Sequence, residues 1–303
     1  MGTPEFSVPC LEMLLHSDHR VRAVVTQPDR PKGRGLKLEP SPVKKVALEH
    51  GLEVLQPEKT SEPKFLARLQ ALAPDLIVVI AFGHILKKDI LTLPRLGCLN
   101  VHASLLPKFR GAAPIAWAIL QGETVTGVTT MQMDQGLDTG PIFMQKSIAI
   151  APDETAGTLH DQLAEVGAEV LSDTLLALEK GALKPVPQDH AQASLAPLLY
   201  KEDGHLDWSQ PAVELERRVR AFDPWPGCHF LWQGLVIKVW ETRVVSGKGK
   251  PGEVLAADQS GLTIACASGA LQILECQPPG KRRMSYSDFL HGHHLTTGTM
   301  LGD

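Results

Sequence analysis

The sequence has little of what marks secreted, membrane-spanning or broadly polyanion-binding proteins. It contains five cysteines in 303 residues, no C-x-x-C motif and a net charge of only −4. An odd number of widely spaced cysteines favours reduced thiols over a disulfide framework or a zinc site. The longest apolar run, 76–82, is far shorter than the ~20 residues that span a bilayer, and no signal-peptide pattern opens the chain. We therefore predict a cytoplasmic protein without a membrane segment, in which any RNA contact comes from local basic patches.

The first 185 residues alternate between helical and strand patterns. Helices are predicted at 7–15, 42–50, 62–72, 111–120 and 158–178, and strands at 21–26, 53–55, 76–81, 98–102, 127–133 and 142–150. The run 76–81 is apolar without alternation, as expected of a strand covered on both faces. This order predicts an α/β fold with a doubly wound, Rossmann-like sheet that binds ligands at the carboxyl ends of its strands.

The chain opens with MGTPEF, a turn that leads into a helix with no strand before it. An α/β domain normally feeds that turn from a strand near the middle of its sheet. Without such a strand, two neighbouring strands would be left with unpaired edges. We therefore expect a first strand upstream of this sequence.

After residue 185 the chain no longer alternates between helical and strand patterns. Prolines at 185, 187 and 197 interrupt the pattern and predict a linker, which we bound at 186–200. A helix at 213–222 and short strands with glycine turns follow, at 229–245, 252–257, 261–266 and 270–277. This pattern predicts a small OB-like β-barrel over 201–303, after a first domain at 1–185.

Three residues could carry acyl transfer. Asn100 and His102 lie two apart on a predicted strand, so their side chains share one face, and Asp138 lies in a glycine-rich loop. An amide donates to a developing oxyanion, an imidazole moves protons near neutral pH, and a carboxylate orients that imidazole. Each residue alone also fits a structural role, since Asn100 could end the strand and Asp138 could cap the turn before Gly140. Spacing by itself leaves both interpretations open.

Longer sequence segments around these residues favour the catalytic interpretation over the structural one. GTPEFSVPCL, QPDRPKGRGLKLEPSPVK, NVHASLLPKFRGAAPI, MDQGLDTGP and RAFDPWP resemble the methionyl-tRNA formyltransferase family. The SLLPKFRG and Asn-x-His pieces are shared with the wider folate-dependent formyltransferase superfamily, whereas QPDRPKGRG and RAFDPWP are more specific to the tRNA enzymes. The resemblance runs from residue 2 into the C-terminal domain. It implies a monomer that transfers the formyl group of 10-formyltetrahydrofolate to the α-amine of initiator methionyl-tRNA.

The resemblance also implies roles for particular residues. Catalysis would fall to Asn100, His102 and Asp138. The folate site would comprise the loop 134–140 together with Ser104, Leu105, Leu106, Pro107, His84, Ile85 and Leu86. The tRNA contacts would include Arg30, Lys32, Arg34, Lys37, Lys281 and Arg282, with further candidates at Arg217, Arg218, Arg220 and Arg283. Composition alone would make 27–38 an ordinary solvated loop, and the resemblance makes it a tRNA-binding loop with Arg34 as the principal contact.

Other functions remain as alternatives. The fold could serve a glycinamide-ribonucleotide or sugar-nucleotide formyltransferase, or a formyl-folate hydrolase, but the basic loop and the C-terminal domain argue against all three. A non-catalytic RNA-binding relative is the remaining alternative, and the intact catalytic residues argue against it. The sequence HGHH at 291–294 has no cysteine or carboxylate at usable spacing, so we predict no metal site.

Overall fold

The computed structural model describes residues 1–32 and 37–302, which divide into two compact units. The first comprises Met1–Pro114, Val125–Ala149 and His160–Pro197, and the second comprises Ile115–Thr124, Ile150–Leu159 and Leu198–Asp303. The α-helices are α1 (Val8–Leu15), α2 (Pro42–Glu49), α3 (Pro63–Leu72), α4 (Lys88–Leu91), α5 (Pro114–Leu120), α6 (Ala156–Glu179), α7 (Ala212–Ala221) and α8 (Tyr286–Leu290). Short 3₁₀ turns occur at Glu5–Ser7, His190–Gln192 and Lys201–Gly204.

The described residues of the first unit form strands in several small sheets. They are β1 (Val24–Val25), β2 (Arg30–Lys32), β3 (Lys37–Glu39), β4 (Val54–Leu55), β5 (Ile77–Val79), β6 (Cys98–His102), β7 (Arg110–Gly111), β8 (Val125–Gln132), β9 (Ile142–Ala149) and β10 (Leu195–Ala196). β1 pairs in parallel with β4, and a four-stranded sheet has the order β5-β6-β8-β9. In that sheet β5 and β6 are parallel, whereas β8 runs antiparallel to both β6 and β9. The unit has the predicted α/β class, with mixed strand directions.

Local signals set the helices that support this sheet. Ser41 caps α2 by accepting a hydrogen bond from Lys44 N at 3.2 Å, and Pro42 occupies the first turn. Helix α3 packs Phe65 and Leu69 into one buried cluster with β5. This apolar packing holds β5 against β6, the strand on which the candidate residues lie.

Residues 1 and 2 run between β1 and β5. Gly2 N donates to Val25 O at 2.9 Å, and Ile80 N donates to Met1 O at 2.9 Å. A cavity of about 570 Å³ lies beside them, with residues 20–25 and 73–78 in its wall. The sequence predicts a further central strand, and that strand stays a prediction.

The segment 186–200, which the sequence predicts to be a linker, contacts the first unit over much of its length. β10 pairs in parallel with β7, and Gln188 is buried. Residues 110 and 111 form β7, so the predicted helix 111–120 begins instead at Pro114. The limits 1–185, 186–200 and 201–303 stay a prediction.

The second unit is built on an antiparallel sheet. Its strands are β11 (Cys228–Trp232), β12 (Leu235–Val245), β13 (Val254–Asp258), β14 (Gly261–Ala265), β15 (Ala270–Gln277) and β16 (Met284–Ser285). The order is β11-β12-β15-β14-β13, with β16 on β15. Between residues 198 and 302 no pairing joins β11 to β13, so the antiparallel sheet of this predicted OB-like unit is open at those two strands. The single strand predicted at 229–245 is a hairpin that turns at Gln233 and Gly234, both with positive φ.

Candidate active site

Asn100 and His102 lie on β6, in the interior of the four-stranded sheet. Asn100 is paired with Val79 on one side and Met131 on the other, and His102 is paired with Thr129. Because side chains alternate along a strand, the two residues project from the same face. Both side chains are buried although neither is apolar. Buried polar groups need hydrogen-bond partners or a ligand, so this face is a candidate for chemistry.

The imidazole of His102 lies between a carbonyl and a carboxylate. Its Nε2 lies 2.9 Å from the carbonyl oxygen of Phe109, and since a carbonyl only accepts, Nε2 carries a proton. Its Nδ1 lies 3.7 Å from Asp138 Oδ2, which is an ion-pair distance and too long for a hydrogen bond. A proton on Nδ1 would face that carboxylate, which is the arrangement that a charged imidazole needs.

Asp138 reaches His102 from a loop that folds back over the sheet. β8 is antiparallel to β6, so the loop that follows it starts beside the beginning of β6, where Met133 N donates to Cys98 O at 2.8 Å. Asp138 has a left-handed backbone with φ of +51°, and its Oδ2 accepts a hydrogen bond from Gly111 N at 2.8 Å. The structure therefore brings the three predicted residues together, although Asp138 does not follow the carboxyl end of a neighbouring parallel strand.

The predicted folate residues 104–107 form a tight loop directly after β6. Thr129 Oγ1 donates to Ser104 O at 2.6 Å and accepts from Leu106 N at 3.1 Å. The Ser104 side chain is buried and donates to Lys108 O at 2.7 Å. Ser104 and the buried Leu106 therefore shape the loop, while the side chains of the other two residues are partly exposed.

A second predicted folate segment follows β5. Because β5 and β6 are parallel, this segment and the loop after β6 leave the sheet at the same edge. The Nδ1 atom of His84 is buried and has no hydrogen-bond partner within the described residues, and Ile85 is 85% exposed. An unpartnered ring nitrogen next to an exposed apolar side chain suits a heterocycle with a polar edge and apolar faces. Leu86 differs, since its side chain belongs to the apolar core.

The basic segment 27–38 is partly described. β2 and β3 pair as an antiparallel hairpin, with Pro31 opposite Leu38. Arg30 is exposed, and its Nη2 lies 3.8 Å from Glu58 Oε2. Arg34 lies outside the described residues, as do the side chains of Lys32 and Lys37. Their tRNA contacts stay predictions.

The second unit exposes the other predicted tRNA residues. Lys281 and Arg282 are exposed in the segment between β15 and β16. The neighbouring Arg283 places its guanidinium 3.6 Å from the centre of the Trp240 ring and donates to Asp223 Oδ1 at 2.7 Å. Arg283 is thus held in one place, and the two residues before it are presented to solvent.

Helix α7 carries the remaining arginine candidates. Arg218 is half-buried and donates from Nη1 to Asp203 O at 3.0 Å. Arg220 forms an ion pair with Glu216 along the same helix. Both guanidinium groups serve the unit's own structure, which leaves them less suited to contact RNA.

This unit carries a further set of basic residues, which we call the basic face, and sequence reasoning named only Arg283 among its members. It consists of Lys201, His205, His229, Lys238 and Arg283. His229 and Lys238 are directly opposite each other on β11 and β12, and the rings of His205 and His229 lie 5.6 Å apart. Burial, followed by the positive charges of His205, Lys201 and Lys238, lowers the pKa of His229 below its ordinary value. When His229 is protonated, like charges lie opposite each other on neighbouring strands, which destabilises a sheet, so that state favours an anionic ligand.

Residues 1–32 and 37–302 contain neither a metal-binding cluster nor a membrane-spanning helix. No group of three His, Cys, Asp or Glu side chains there could hold a metal ion, and His293 of the HGHH sequence stacks on Phe289 with ring centres 4.1 Å apart. No helix in that part of the chain has the length and apolar character needed to cross a membrane. All five cysteines are free and buried, and burial raises the pKa of Cys10 to about 12, which makes it a poor nucleophile.

Two family models match the chain. The model described as formyl transferase matches residues 1–175, and the model described as formyl transferase, C-terminal domain, matches residues 198–294. The methionyl-tRNA formyltransferase of Geobacter metallireducens is 50% identical over 302 residues, covering 100% of this chain and 97% of that protein. The protein of the same name from Myxococcus xanthus is 52% identical over 299 residues, covering 99% and 96% of the two chains.

A solved structure shares the fold. It is an N-formyltransferase from Helicobacter canadensis in complex with folinic acid and dTDP-3-aminofucose. The alignment has a TM-score of 0.65 and covers 91% of this chain and 97% of the other, at 18% identity. At that level of identity the likeness concerns the fold alone.

Proposed function

This chain belongs to the methionyl-tRNA formyltransferase family, and we propose that Asn100, His102 and Asp138 form its catalytic site. The enzyme transfers the formyl group of 10-formyltetrahydrofolate to the α-amine of methionyl-tRNA. One observation carries the assignment of the site: His102 is fixed by Phe109 O at 2.9 Å while Asp138 faces its other ring nitrogen at 3.7 Å. A buried imidazole held between these two oxygens is placed to act on a carbonyl.

The reaction forms one bond and breaks another. The neutral methionyl amine attacks the formyl carbon, and the carbonyl oxygen takes up negative charge. Asn100 is placed to donate a hydrogen bond to that oxygen, and one such donor is worth roughly 3–4 kcal/mol of the barrier. The imidazole of His102 lies on the same face, so a positive charge on its ring would stabilise the oxygen electrostatically. The carbon–nitrogen bond to the folate then breaks, the proton lost by the amine passes to the nitrogen of the departing folate, and tetrahydrofolate leaves as the amide forms. Asp138 faces Nδ1 of His102 and keeps the ring oriented throughout these steps.

The formyl donor is a flat heterocycle with polar edges, and three segments are proposed to bind it. They are 84–86, 104–107 and 134–140. Asp134 Oδ1 accepts hydrogen bonds from Gly136 N at 2.9 Å and from Thr139 Oγ1 at 2.7 Å, which fixes the start of the last segment. The unpartnered Nδ1 of His84 would then meet an edge of the pterin, and Ile85 would cover a ring face.

The RNA acceptor is proposed to bind through basic residues of each unit. On the first unit these are Arg30, Lys32, Arg34 and Lys37, and on the second they are Lys281, Arg282 and the basic face. Neutralised phosphates release counterions, so several cations can bind a tRNA although the whole chain carries a net charge of −4.

The proposal also covers the identity of the acceptor, the oligomeric state, the location of the protein and the roles of the parts of the chain. The acceptor is initiator methionyl-tRNA, and the protein acts as a monomer in the cytoplasm, away from membranes. Catalysis is assigned to 1–185 and tRNA binding to 201–303, with 186–200 between them. Supporting this assignment, the two family models match 1–175 and 198–294.

One assay separates this function from its alternatives. The protein is incubated with 10-formyltetrahydrofolate carrying a radiolabelled formyl group, and with methionyl-tRNA, glycinamide ribonucleotide, an amino-sugar nucleotide or buffer alone. We expect label on methionyl-tRNA and on none of the others. Label on a small-molecule acceptor, label released to water, or RNA binding without turnover would each contradict the proposal and indicate one of the alternatives.

A further inference from the structure

Arg110 lies in an unusual setting, because it is only 7% exposed and its guanidinium contacts an amide and an imidazole instead of a carboxylate. Its Nε and Nη2 donate to Gln188 Oε1 at 3.1 and 2.6 Å, and Nη2 lies 3.1 Å from His190 Nδ1. Burying a guanidinium without hydrogen-bond acceptors raises the free energy of the folded state. Gln188 Oε1 supplies such an acceptor, so Arg110 holds the Gln188 amide in place. The residue that supplies this acceptor lies in the segment predicted to be a linker.

The other end of the Gln188 amide contacts the loop that carries Asp138. Gln188 Nε2 donates to Asp138 O at 2.9 Å and to Gly140 O at 2.7 Å. Arginine only donates and carbonyls only accept, so the two sides of the amide cannot exchange places. Gln188 is itself only 7% exposed. It therefore fixes the backbone of Asp138, a residue with a left-handed φ of +51°.

The same segment also contacts the chain that holds His102. Ser194 Oγ accepts from Phe109 N at 2.9 Å, and Ser194 O accepts from Arg110 N at 2.9 Å. Phe109 O is the partner of His102 Nε2. Residues 188–196, which we call the strap, thus touch both pieces of backbone that set the His102–Asp138 pair.

We propose that the strap is a positioning element of the catalytic site, in which Gln188 holds the Asp138 carboxylate at its distance from His102. This inference rests on the proposed function of that pair. Gln188 does not reach the reacting atoms, so its removal should lower kcat through Asp138 and leave binding of methionyl-tRNA unchanged. A shift of about 1 Å in a catalytic group can cost about 100-fold in rate.

The test compares three variants with the wild type in steady-state formylation of methionyl-tRNA. Gln188→Met keeps the side-chain volume and removes both the acceptor and the donor, whereas Gln192→Ala is the control, an exposed amide of the same strap that donates to Asp189. We expect Gln188→Met to lower kcat about 10- to 100-fold at saturating folate, with KM for tRNA within about twofold of the wild type. Gln192→Ala should match the wild type. Ser194→Ala removes only the hydrogen bond from Phe109 N and should lower kcat by a smaller factor.

A double-mutant cycle separates positioning from a general loss of structure. In an Asp138→Asn background, whose carboxylate is already gone, Gln188→Met should change kcat by less than about threefold. An equal loss of kcat in both backgrounds, or an unchanged kcat in the single variant, would overturn the proposal. If Gln188→Met does not show a cooperative thermal transition, Ser194→Ala decides the question, and a wild-type kcat in that variant overturns it. Failure of the wild type to formylate methionyl-tRNA would instead overturn the proposed function.

Discussion

The two units carry their functional groups in opposite settings. In the first unit Asn100 and His102 are buried, and the Asp138 side chain is only 15% exposed. In the second unit Lys238, His205 and the other cations lie at the surface. A buried group acts through one fixed geometry in a medium that strengthens its interactions, whereas an exposed charge is screened by salt and can be replaced by its neighbours.

This difference predicts two kinds of failure. A single deletion in the first unit should nearly abolish chemistry, because no other group can reach the same point in space. A single deletion on the basic face should weaken binding modestly, because the remaining cations still meet the phosphate backbone. The variants below test that contrast, from the largest expected effect to the smallest.

The largest effect is expected from Asn100→Ala and His102→Ala. The first removes the donor to the oxyanion and the second removes the imidazole on the same face, so kcat should fall by about 10²- to 10⁴-fold with little change in thermal stability. The measurement is steady-state formylation beside a thermal melt, and His50→Ala, at an exposed helix end, is the matched control. Near-normal turnover by either variant would show that its role is wrongly assigned.

The next effect concerns the folding of the first unit. Thr129 Oγ1 also accepts from Gln145 Nε2 at 2.9 Å, in addition to its bonds with the loop 104–107. Thr129→Val should leave buried donors without an acceptor and lower the free energy of unfolding by about 1–3 kcal/mol. Thr126→Val is the matched control on the same strand, since Thr126 Oγ1 is buried and has no hydrogen-bond partner within the described residues. Denaturant unfolding should show a lower free energy of unfolding for Thr129→Val and an unchanged one for Thr126→Val. Equal free energies for the two variants would show that the hydrogen bonds of Thr129 do not stabilise the unit.

A smaller effect is expected from single cations. Arg34→Ala and Lys238→Ala should each raise KM for methionyl-tRNA several-fold and reduce the slope of log KM against log salt by about one. KM for the folate should not change in either variant. Lys248→Ala removes an exposed charge of the second unit outside the basic face and serves as the control. If folate affinity falls by the same factor, the residue does not act through RNA.

The smallest effect is a dependence of tRNA binding on pH. Burial and neighbouring cations lower the pKa of His229, so the free protein holds this ring neutral over most of the neutral range. A phosphate beside the ring favours its charged form, so binding takes up a proton and weakens as the pH rises. We expect KM for tRNA to increase about two- to fivefold between about pH 6 and pH 8. The folate is kept saturating at each pH, so that a change in its own KM does not contribute.

His229→Gln should flatten this dependence, whereas His16→Gln, at the end of α1 in the first unit, should preserve it. Any pH response would also reflect the groups around the ring, which are His205, Lys201 and Lys238, with Asp207 beside His205. An unchanged pH profile in His229→Gln would assign the response to one of those groups.

Local patterns predicted the strand that bears the catalytic pair. β6 has the bounds 98–102 in both the sequence interpretation and the structure, because its residues are apolar or buried throughout and glycine precedes them. The direction of β8 could not be predicted in the same way. Strand direction depends on how distant loops close, and the loop that carries Asp138 folds back over the sheet rather than leaving from a parallel strand.

The strap and the pairing of His229 with Lys238 in the basic face were missed for different physical reasons. Gln188 lies among prolines in a polar segment, and its burial depends on partners 50 and 78 residues away in the chain. His229 and Lys238 lie on one segment that the sequence interpretation treats as a single strand. The turn at Gln233 and Gly234 makes His229 and Lys238 cross-strand neighbours. Because the sequence analysis did not predict that turn, it could not predict that these two residues are paired.

The strap also sets the order in which a new polypeptide can complete its catalytic centre. Gln188 follows Asp138 by 50 residues, and a ribosome that adds about 5–20 residues per second needs roughly 3–10 s to make them. Throughout that interval the nascent chain contains Asn100, His102 and Asp138, while the carbonyls of the Asp138 loop await their donor. A translational pause before residue 188 would therefore leave every catalytic side chain synthesised and the site still unassembled.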